Sequence, residues 1–387
     1  MDHPVNHIFE HTPDTLASWC KDHSMPAFRA TQILEWVYRK GVIDPNQMSN
    51  LAQRDRDTLA DEMTFLSNDI LADLMSSDDT RKLLVQWRSY KEAPETSRSL
   101  PVLGQSSGLH DVVSDTSRQT ECVMIPATSA ESARERRTAC ISSQVGCPVG
   151  CRFCASGLGG LDGNLSRGRI VEQAWMLNFL PDAYGNVSPL TNIVFMGMGE
   201  PLANFRPVTD AVRTLAAPWG MGIGARKVTI STVGLPRAIE KLADELEIPV
   251  TLALSLHAPN DALRRELIPW AEHSTIPELL SACHKWFQKT GREITLEYIL
   301  LREVNDQQIH AEELAKVART LRANVNLIRY NEVDSLPYKR PRTDDVREFQ
   351  RLLRDAGINA HIRASRGRDI AAACGQLRHE SSKHTGV

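Results

Sequence analysis

No stretch of this chain stays apolar for the roughly 18 to 20 residues that a bilayer-crossing helix needs, so no membrane-spanning helix is expected. The opening residues, MDHPVNHIFEHTPD, lack the basic and apolar regions of a secretory leader, and a cytoplasmic protein is expected. Positive charge is not in excess either. A net charge of −3 over 387 residues builds no global basic field, so composition by itself does not announce a nucleic-acid partner. Local clusters remain as candidate phosphate contacts: Arg134, Arg136 and Arg137; Arg264 and Arg265; Lys339, Arg340 and Arg342; Arg363, Arg366 and Arg368. Most such runs are solvated faces.

The chain also lacks the paired C-x2-C units of a zinc knuckle. Instead one tight triplet, Cys147, Cys151 and Cys154, stands in GCPVGCRFC with the spacing C-x3-C-x2-C. Eight cysteines without a leader point to metal or redox chemistry rather than to a disulfide framework. Three thiolates can hold three irons of a [4Fe-4S] cluster and leave the fourth iron open, whereas purely electronic clusters usually have four cysteines. A structural zinc site is the alternative, with Cys140 as a fourth thiolate. A third reading, buried packing cysteines, is weaker, because Gly146, Pro148, Gly150 and Arg152 describe an exposed loop.

Residues 1 to 75 read as a small helical accessory domain, with FRATQILEWVY placing Phe28, Ile33, Leu34, Trp36 and Val37 on one broad apolar face. Residues 76 to 137 read as a connecting segment, and its Ser-, Pro- and Gly-rich part, 91 to 118, as a loop or insertion. From 138 to 378, β-rich runs alternate with helical patterns. The runs are TACISS, NIVFMG, KVTIST, VTLALSL, ITLEYILL and NVNLIRY. Six strand-then-helix units imply parallel strands with right-handed crossovers, an α/β fold in the form of an open, partial (β/α)6 barrel of the TIM type. Loops after the C-terminal strand ends should then carry the chemistry. Residues 379 to 387 are a polar tail.

With Phe153 before the last cysteine, the triplet resembles the radical S-adenosylmethionine (SAM) superfamily, in which the open iron chelates the amino and carboxylate groups of SAM and cleavage gives a 5′-deoxyadenosyl radical. Taken with FRATQILEWVY, ACISSQVGC, FMGMGEPLAN, SLHAPND and DIAAACGQL in that order, the chain resembles the RlmN family of dual-specificity adenine-C2 RNA methyltransferases, to which the C8-methylating Cfr enzymes are close relatives. The resemblance implies methylation of adenine 2503 in 23S rRNA and adenine 37 in tRNA, one [4Fe-4S] cluster on Cys147, Cys151 and Cys154, and SAM as both methyl donor and radical source. It implies a methyl-carrying thiol at Cys374, a resolving thiol at Cys140 that forms a transient disulfide with it, and a base at Glu121. Glu131 and Glu135 compete with Glu121 in sequence.

Carbon 2 of adenine is too electron-poor to attack a SAM methyl group directly, which is why a radical route through a protein-bound methyl is needed. Gly199, Glu200, Ser231, Ser255, Leu256, His257 and Asn331 are the implied SAM contacts. GMGEP is not a dinucleotide fingerprint, because the third spaced glycine is missing. By itself His257 reads as a satisfied core histidine. Cys20, Cys122 and Cys283 read as packing residues, Cys122 being near enough to Glu121 to compete in disulfide exchange. The implied partners are 23S rRNA, tRNA and an electron donor such as flavodoxin or ferredoxin, with a monomer expected. C8 methylation of the same rRNA adenine, or a non-catalytic zinc RNA-binding protein, are the alternatives.

Overall fold

A computed structural model describes residues 1–90, 116–127, 136–181, 185 and 187–377. Most of the expected insertion, the polar tail from 379, and Glu131, Arg134 and Glu135 lie outside the described residues.

Three short helices open the chain: α1 (Pro13–Asp22), α2 (Arg29–Tyr38) and α3 (Gln53–Glu62). Thr12 and Thr15 form a capping box ahead of Pro13, whose missing N–H is harmless at the first helical position. In α2 the buried residues Ala30, Ile33, Leu34, Val37 and Tyr38 fall at helical spacing. Phe28, expected on that face, is instead 58% exposed.

The helical region ends earlier than expected. Asn68–Met75, placed in the accessory domain by sequence, is strand β1 and pairs antiparallel with β2 (Arg81–Trp87), which pairs antiparallel with β3 (Gln119–Ala127). Apolar residues in NDILADLM fall at 70, 71, 74 and 75, a spacing that fits a helix, and on an edge strand all four stay exposed.

Strand β4 (Arg136–Cys140) pairs antiparallel with β3 on one side and starts the parallel run on the other. A small hairpin, β5 (Gln144–Gly146) and β6 (Leu161–Asn164), brackets the cysteine loop before α4 (Arg167–Phe179). Then come β7 (Asn192–Phe195), α5 (Phe205–Ala216), β8 (Val228–Thr232), α6 (Pro236–Glu245), β9 (Thr251–Ser255), α7 (Asp261–Leu267), α8 (Ile276–Thr290), β10 (Ile294–Leu300), α9 (Gln308–Arg319), β11 (Ala323–Arg329), α10 (Thr343–Asp355) and β12 (Ala360–Arg363). Among the described residues the sheet has ten strands in the order β1-β2-β3-β4-β7-β8-β9-β10-β11-β12, parallel from β4 onward. Six strand-then-helix units are present as expected, and β12 extends them. AHIR has too few apolar residues to show as a strand in sequence.

Central strands are buried on both faces, as continuous apolar runs such as TLALS require. One core joins the N-terminal helices to the α/β domain, with Phe9 packed edge-on against Tyr38 (5.7 Å) and close to Trp175 (5.9 Å). Beneath them lies a buried polar knot. His7 Nε2 stands 3.0 Å from Glu172 Oε2, and Ser67 donates to the same carboxylate from its backbone N–H (2.7 Å) and its hydroxyl (2.6 Å). None of the described helices is long and apolar enough to cross a membrane.

Candidate active site

The loops after the parallel strands converge on one cavity. It is lined by Cys147, Cys151 and Cys154 after β4, Met196, Gly199 and Glu200 after β7, Ser231 on β8, Ser255 and His257 at the end of β9, Glu297 on β10, Ile328 on β11, Arg363 on β12, and Cys374 from the C-terminal segment. This is the C-terminal mouth of the parallel sheet, where such folds place their chemistry.

The cysteine loop is pinched shut at its base. Gly146 has φ +73°, and a Cβ there would meet the Gly160 carbonyl at 2.0 Å, while Cys147 N–H donates to that same carbonyl (2.8 Å). Only glycine tolerates both demands. The loop is further tied to the end of α7 by Arg152 N–H to Leu267 O (3.0 Å). Val149, Phe153, Leu267 and Ile299 form an apolar bed against which the three cysteines pack.

Burial pushes the Cys147 thiol up to about 12, and raises Cys151 and Cys154 as well. Such a set stays protonated until a cation arrives to take the charge. Glu200, the nearby carboxylate, is already occupied. It accepts from the N–H groups of Val233 (2.8 Å) and Leu202 (3.0 Å), and burial raises it to about 7 despite those bonds. Cys140 does not line this cavity. It packs with Val123, Val194, Met198, Ala372 and Leu377, so zinc loses its fourth ligand. Three thiols of one loop line one cavity, as three ligands of a cluster with one open iron would.

Gly199 has φ +101°, and a Cβ there would stand 2.7 Å from both Gln144 Cβ and Ser143 Oγ. Its backbone thereby reaches the cavity wall. Ser231 and Ser255 face each other with hydroxyls 3.2 Å apart. His257 adopts φ +59°, strained for a non-glycine residue, and its Nδ1 accepts from Ile299 N–H (3.1 Å). Burial, then the Arg264 charge, lowers it to about 3, so the ring is neutral and its Nε2–H is the remaining donor. Its edge meets Phe153, centroids 5.1 Å apart.

Leu256 and Asn331 do not line the cavity. The Leu256 side chain is fully buried in the main core. Asn331 Nδ2 donates to the Cys374 carbonyl (3.4 Å) and its Oδ1 accepts from Arg340 (2.8 Å), so it braces the C-terminal segment.

That segment lies over the cysteine loop. Ala155 N–H donates to Gly375 O (2.8 Å) and the Ser156 hydroxyl to Leu377 O (2.6 Å). Cys374 is exposed to the solvent of the cavity, yet protein surrounds it closely enough to raise its thiol to about 11. Burial raises Cys140 to about 12, and the Arg363 guanidinium opposes both shifts. Arg363 stands 3.9 Å from Glu297, itself buried in the cavity wall. Neither Arg363 as a neighbour of both thiols nor Glu297 emerged from the sequence. The EY dipeptide inside a strand was the available signal, a carboxylate amid an otherwise apolar run.

Glu121 sits on β3, buried, with Oε1 2.8 Å from Lys82 Nζ. It shares the inner sheet face with Val123, whose register partner is Cys140. Cys122 points to the opposite face and is fully buried in the main core, its thiol raised by that burial, so it is a packing residue. Arg264 and Arg340 are also spoken for. The first donates to Leu256 O (3.3 Å) and Val233 O (2.5 Å), the second to Tyr330 O (2.9 Å).

Residues 141–318 match the radical SAM superfamily model, and residues 6–65 match the ribosomal RNA large subunit methyltransferase N-terminal domain. A probable dual-specificity RNA methyltransferase RlmN of Salinibacter ruber is 38% identical over 94% of this chain and 92% of its own length. The dual-specificity RNA methyltransferase RlmN of Dichelobacter nodosus is 36% identical over 97% and 95%. Among solved structures, a radical SAM methyltransferase from Sphaerobacter thermophilus superposes with a TM-score of 0.83 at 37% identity, covering 96% of this chain and 99% of that one. The cofactors of the present chain are accordingly SAM and an iron–sulfur cluster, and its substrate is RNA. The chain belongs to the RlmN family of radical SAM RNA methyltransferases.

Proposed function

We propose that the chain methylates carbon 2 of adenine, at adenine 2503 of 23S rRNA and adenine 37 of tRNA, through a methyl carried on Cys374. The observation that carries this reading is the docking of the C-terminal segment. Cys374 lines the same cavity as Cys147, Cys151 and Cys154, while its neighbours Ala372 and Leu377 pack against Cys140. The segment that carries Cys374 thus touches both the three-cysteine cavity and the surroundings of Cys140.

Cys147, Cys151 and Cys154 would hold the cluster, which with SAM supplies the 5′-deoxyadenosyl radical. Gly199, Glu200, Ser231, Ser255 and His257 would form the SAM site, with Glu200 acting by holding the loop rather than by touching the ligand. Leu256 and Asn331 stay in the reading only through backbone or indirect contacts. Once the methylene radical on Cys374 has added to carbon 2 and the adduct has given up its unpaired electron, for which the oxidised cluster would be the acceptor, Glu121 takes the proton from carbon 2 and the ring regains its aromaticity. The Cys140 thiolate then attacks the Cys374 sulfur. The carbon–sulfur bond breaks, the carbon gains a proton to become methyl, and a Cys140–Cys374 disulfide remains.

A reductant such as flavodoxin or ferredoxin would serve a monomer in the cytoplasm. The test is mass spectrometry of RNA digests after anaerobic incubation with SAM and a reductant. 2-Methyladenosine is expected in both RNAs, and 8-methyladenosine would overturn the regiochemistry.

A further inference from the structure

Lys82 is a lysine held almost entirely out of solvent. Its side chain is 6% exposed, on β2, opposite Val123 in the β2–β3 register. Val123 in turn faces Cys140, so Lys82, Val123 and Cys140 form one row across three strands on the inner face. The ammonium stands 2.8 Å from Glu121 Oε1 and donates to the Ala371 carbonyl at 3.2 Å. Ala371 lies three residues before Cys374 and has φ +49°, a conformation costly for alanine that surrounding contacts must hold.

Those contacts come from the turn joining β1 to β2. Ser77 N–H donates to Asp369 Oδ2 (2.9 Å), the Ser76 hydroxyl donates to the same carboxylate, and Gly367 N–H donates to Asp78 Oδ2 (3.1 Å). The hairpin is thus a clasp on the C-terminal segment, and Lys82 is the point where that clasp meets Glu121. A buried ammonium is costly to desolvate, and an apolar residue of similar volume would pack the same space at no such cost. Its charge calls for a use other than packing.

We infer that Lys82 is a positioning residue for product release, fixing the Glu121 carboxylate at a set distance from the loop that carries Cys374. This rests on the two-cysteine reading above. In the linked intermediate the adenine is anchored through Cys374, so a base that must reach carbon 2 has to be placed relative to that cysteine. Lys82 bonds to both sides of that distance.

The experiment uses full-length, cluster-loaded Lys82→Met, Lys82→Arg and Glu121→Gln proteins, each assayed for methylation of Cys374, for covalent RNA adduct, and for the rate of adduct release. Lys82→Met should still methylate Cys374 but release RNA more slowly by about tenfold or more, as misplacing a catalytic group by about an ångström does. Lys82→Arg should recover most of that rate. If Lys82→Met does not fold, Lys82→Gln, which keeps a donor for Ala371 without the charge, is read in its place. Normal release in the uncharged variant overturns the inference while leaving the two-cysteine reading intact. Equal loss of Cys374 methylation and release, unrescued by arginine, overturns it as well by showing a structural role. Absence of adduct in Glu121→Gln overturns the assignment of the base itself, and is distinguishable because it does not involve Lys82.

Discussion

The parallel half of the sheet, β4 and β7 to β12, and its antiparallel edge, β1 to β3, solve different problems. The parallel half gathers loops from successive strand ends around one cavity, and its strands are buried on both faces. The antiparallel edge contributes little to the cavity wall. It supplies Glu121, Lys82 and the turn that grips the C-terminal segment. On the proposed mechanism, radical generation would belong to the first region and handling of Cys374 to the second, so changes in each should separate the two halves of the reaction.

The sharpest separation lies in the cysteines of the parallel half. Cys147→Ala, Cys151→Ala or Cys154→Ala should abolish iron binding and all reductive cleavage of SAM, measured as 5′-deoxyadenosine formed under anaerobic reduction. Full cleavage by any of them would remove the cluster assignment.

A nearly equal loss of turnover, but of a different kind, is expected at the junction of the two regions. Cys140→Ala should keep the cluster and Cys374 methylation, and accumulate protein covalently attached to RNA, visible as a band shift on a denaturing gel. Cys374→Ala should give no adduct. Normal turnover by Cys140→Ala without attached RNA would return Cys140 to a packing role.

Away from the chemistry, Glu172→Ala tests how far the N-terminal helices depend on the α/β domain. It leaves His7, Ser67 and Asn68 facing a buried vacancy and should destabilise the fold by about 3 kcal/mol or more, as loss of one member of a buried pair does. Denaturant unfolding measures it, and a loss below about 1 kcal/mol would mean the knot contributes little.

A smaller effect should appear with pH. Burial, then Arg169 and Arg167 respectively, lowers His3 and His11 to about 4 from an ordinary 6.5. As pH falls below 6.5 the unfolded chain takes up protons that the folded one refuses, so their contribution is complete above 6.5 and is lost progressively toward 4. Thermal unfolding of a His3→Gln, His11→Gln double variant should therefore depend less on pH over that window than the parent does. An unchanged slope would assign the acid sensitivity to other groups.

How much was legible in the sequence follows the same division. Runs such as VTLALSL and ITLEYILL announce parallel strands because burial on both faces demands unbroken apolar residues. The edge strands had no such signature, since β1 leaves Ile70, Leu71, Leu74 and Met75 exposed and β3 mixes Glu121 and Pro126 into its pattern. In the site, local spacing made the cysteine triplet readable, whereas Gly199 and His257 came only through the family resemblance, His257 by itself reading as a core histidine. Asn331, expected at SAM, also braces the segment carrying Cys374, and Arg264 was a candidate for phosphate but satisfies buried carbonyls.

The sequence by itself determined the chemistry that short spacing encodes, because a C-x3-C-x2-C loop needs only its own backbone to bring three thiols together. It also determined the order of strands and helices, through periodicity. Only the tertiary structure decided which distant residues meet: Cys140 with the segment carrying Cys374, Arg363 with Glu297, and Lys82 with both Glu121 and Ala371. Such contacts join positions up to 289 residues apart in Lys82 and Ala371. They depend on strand register and on which sheet face a side chain takes, and a slip of one residue would reverse every one of them.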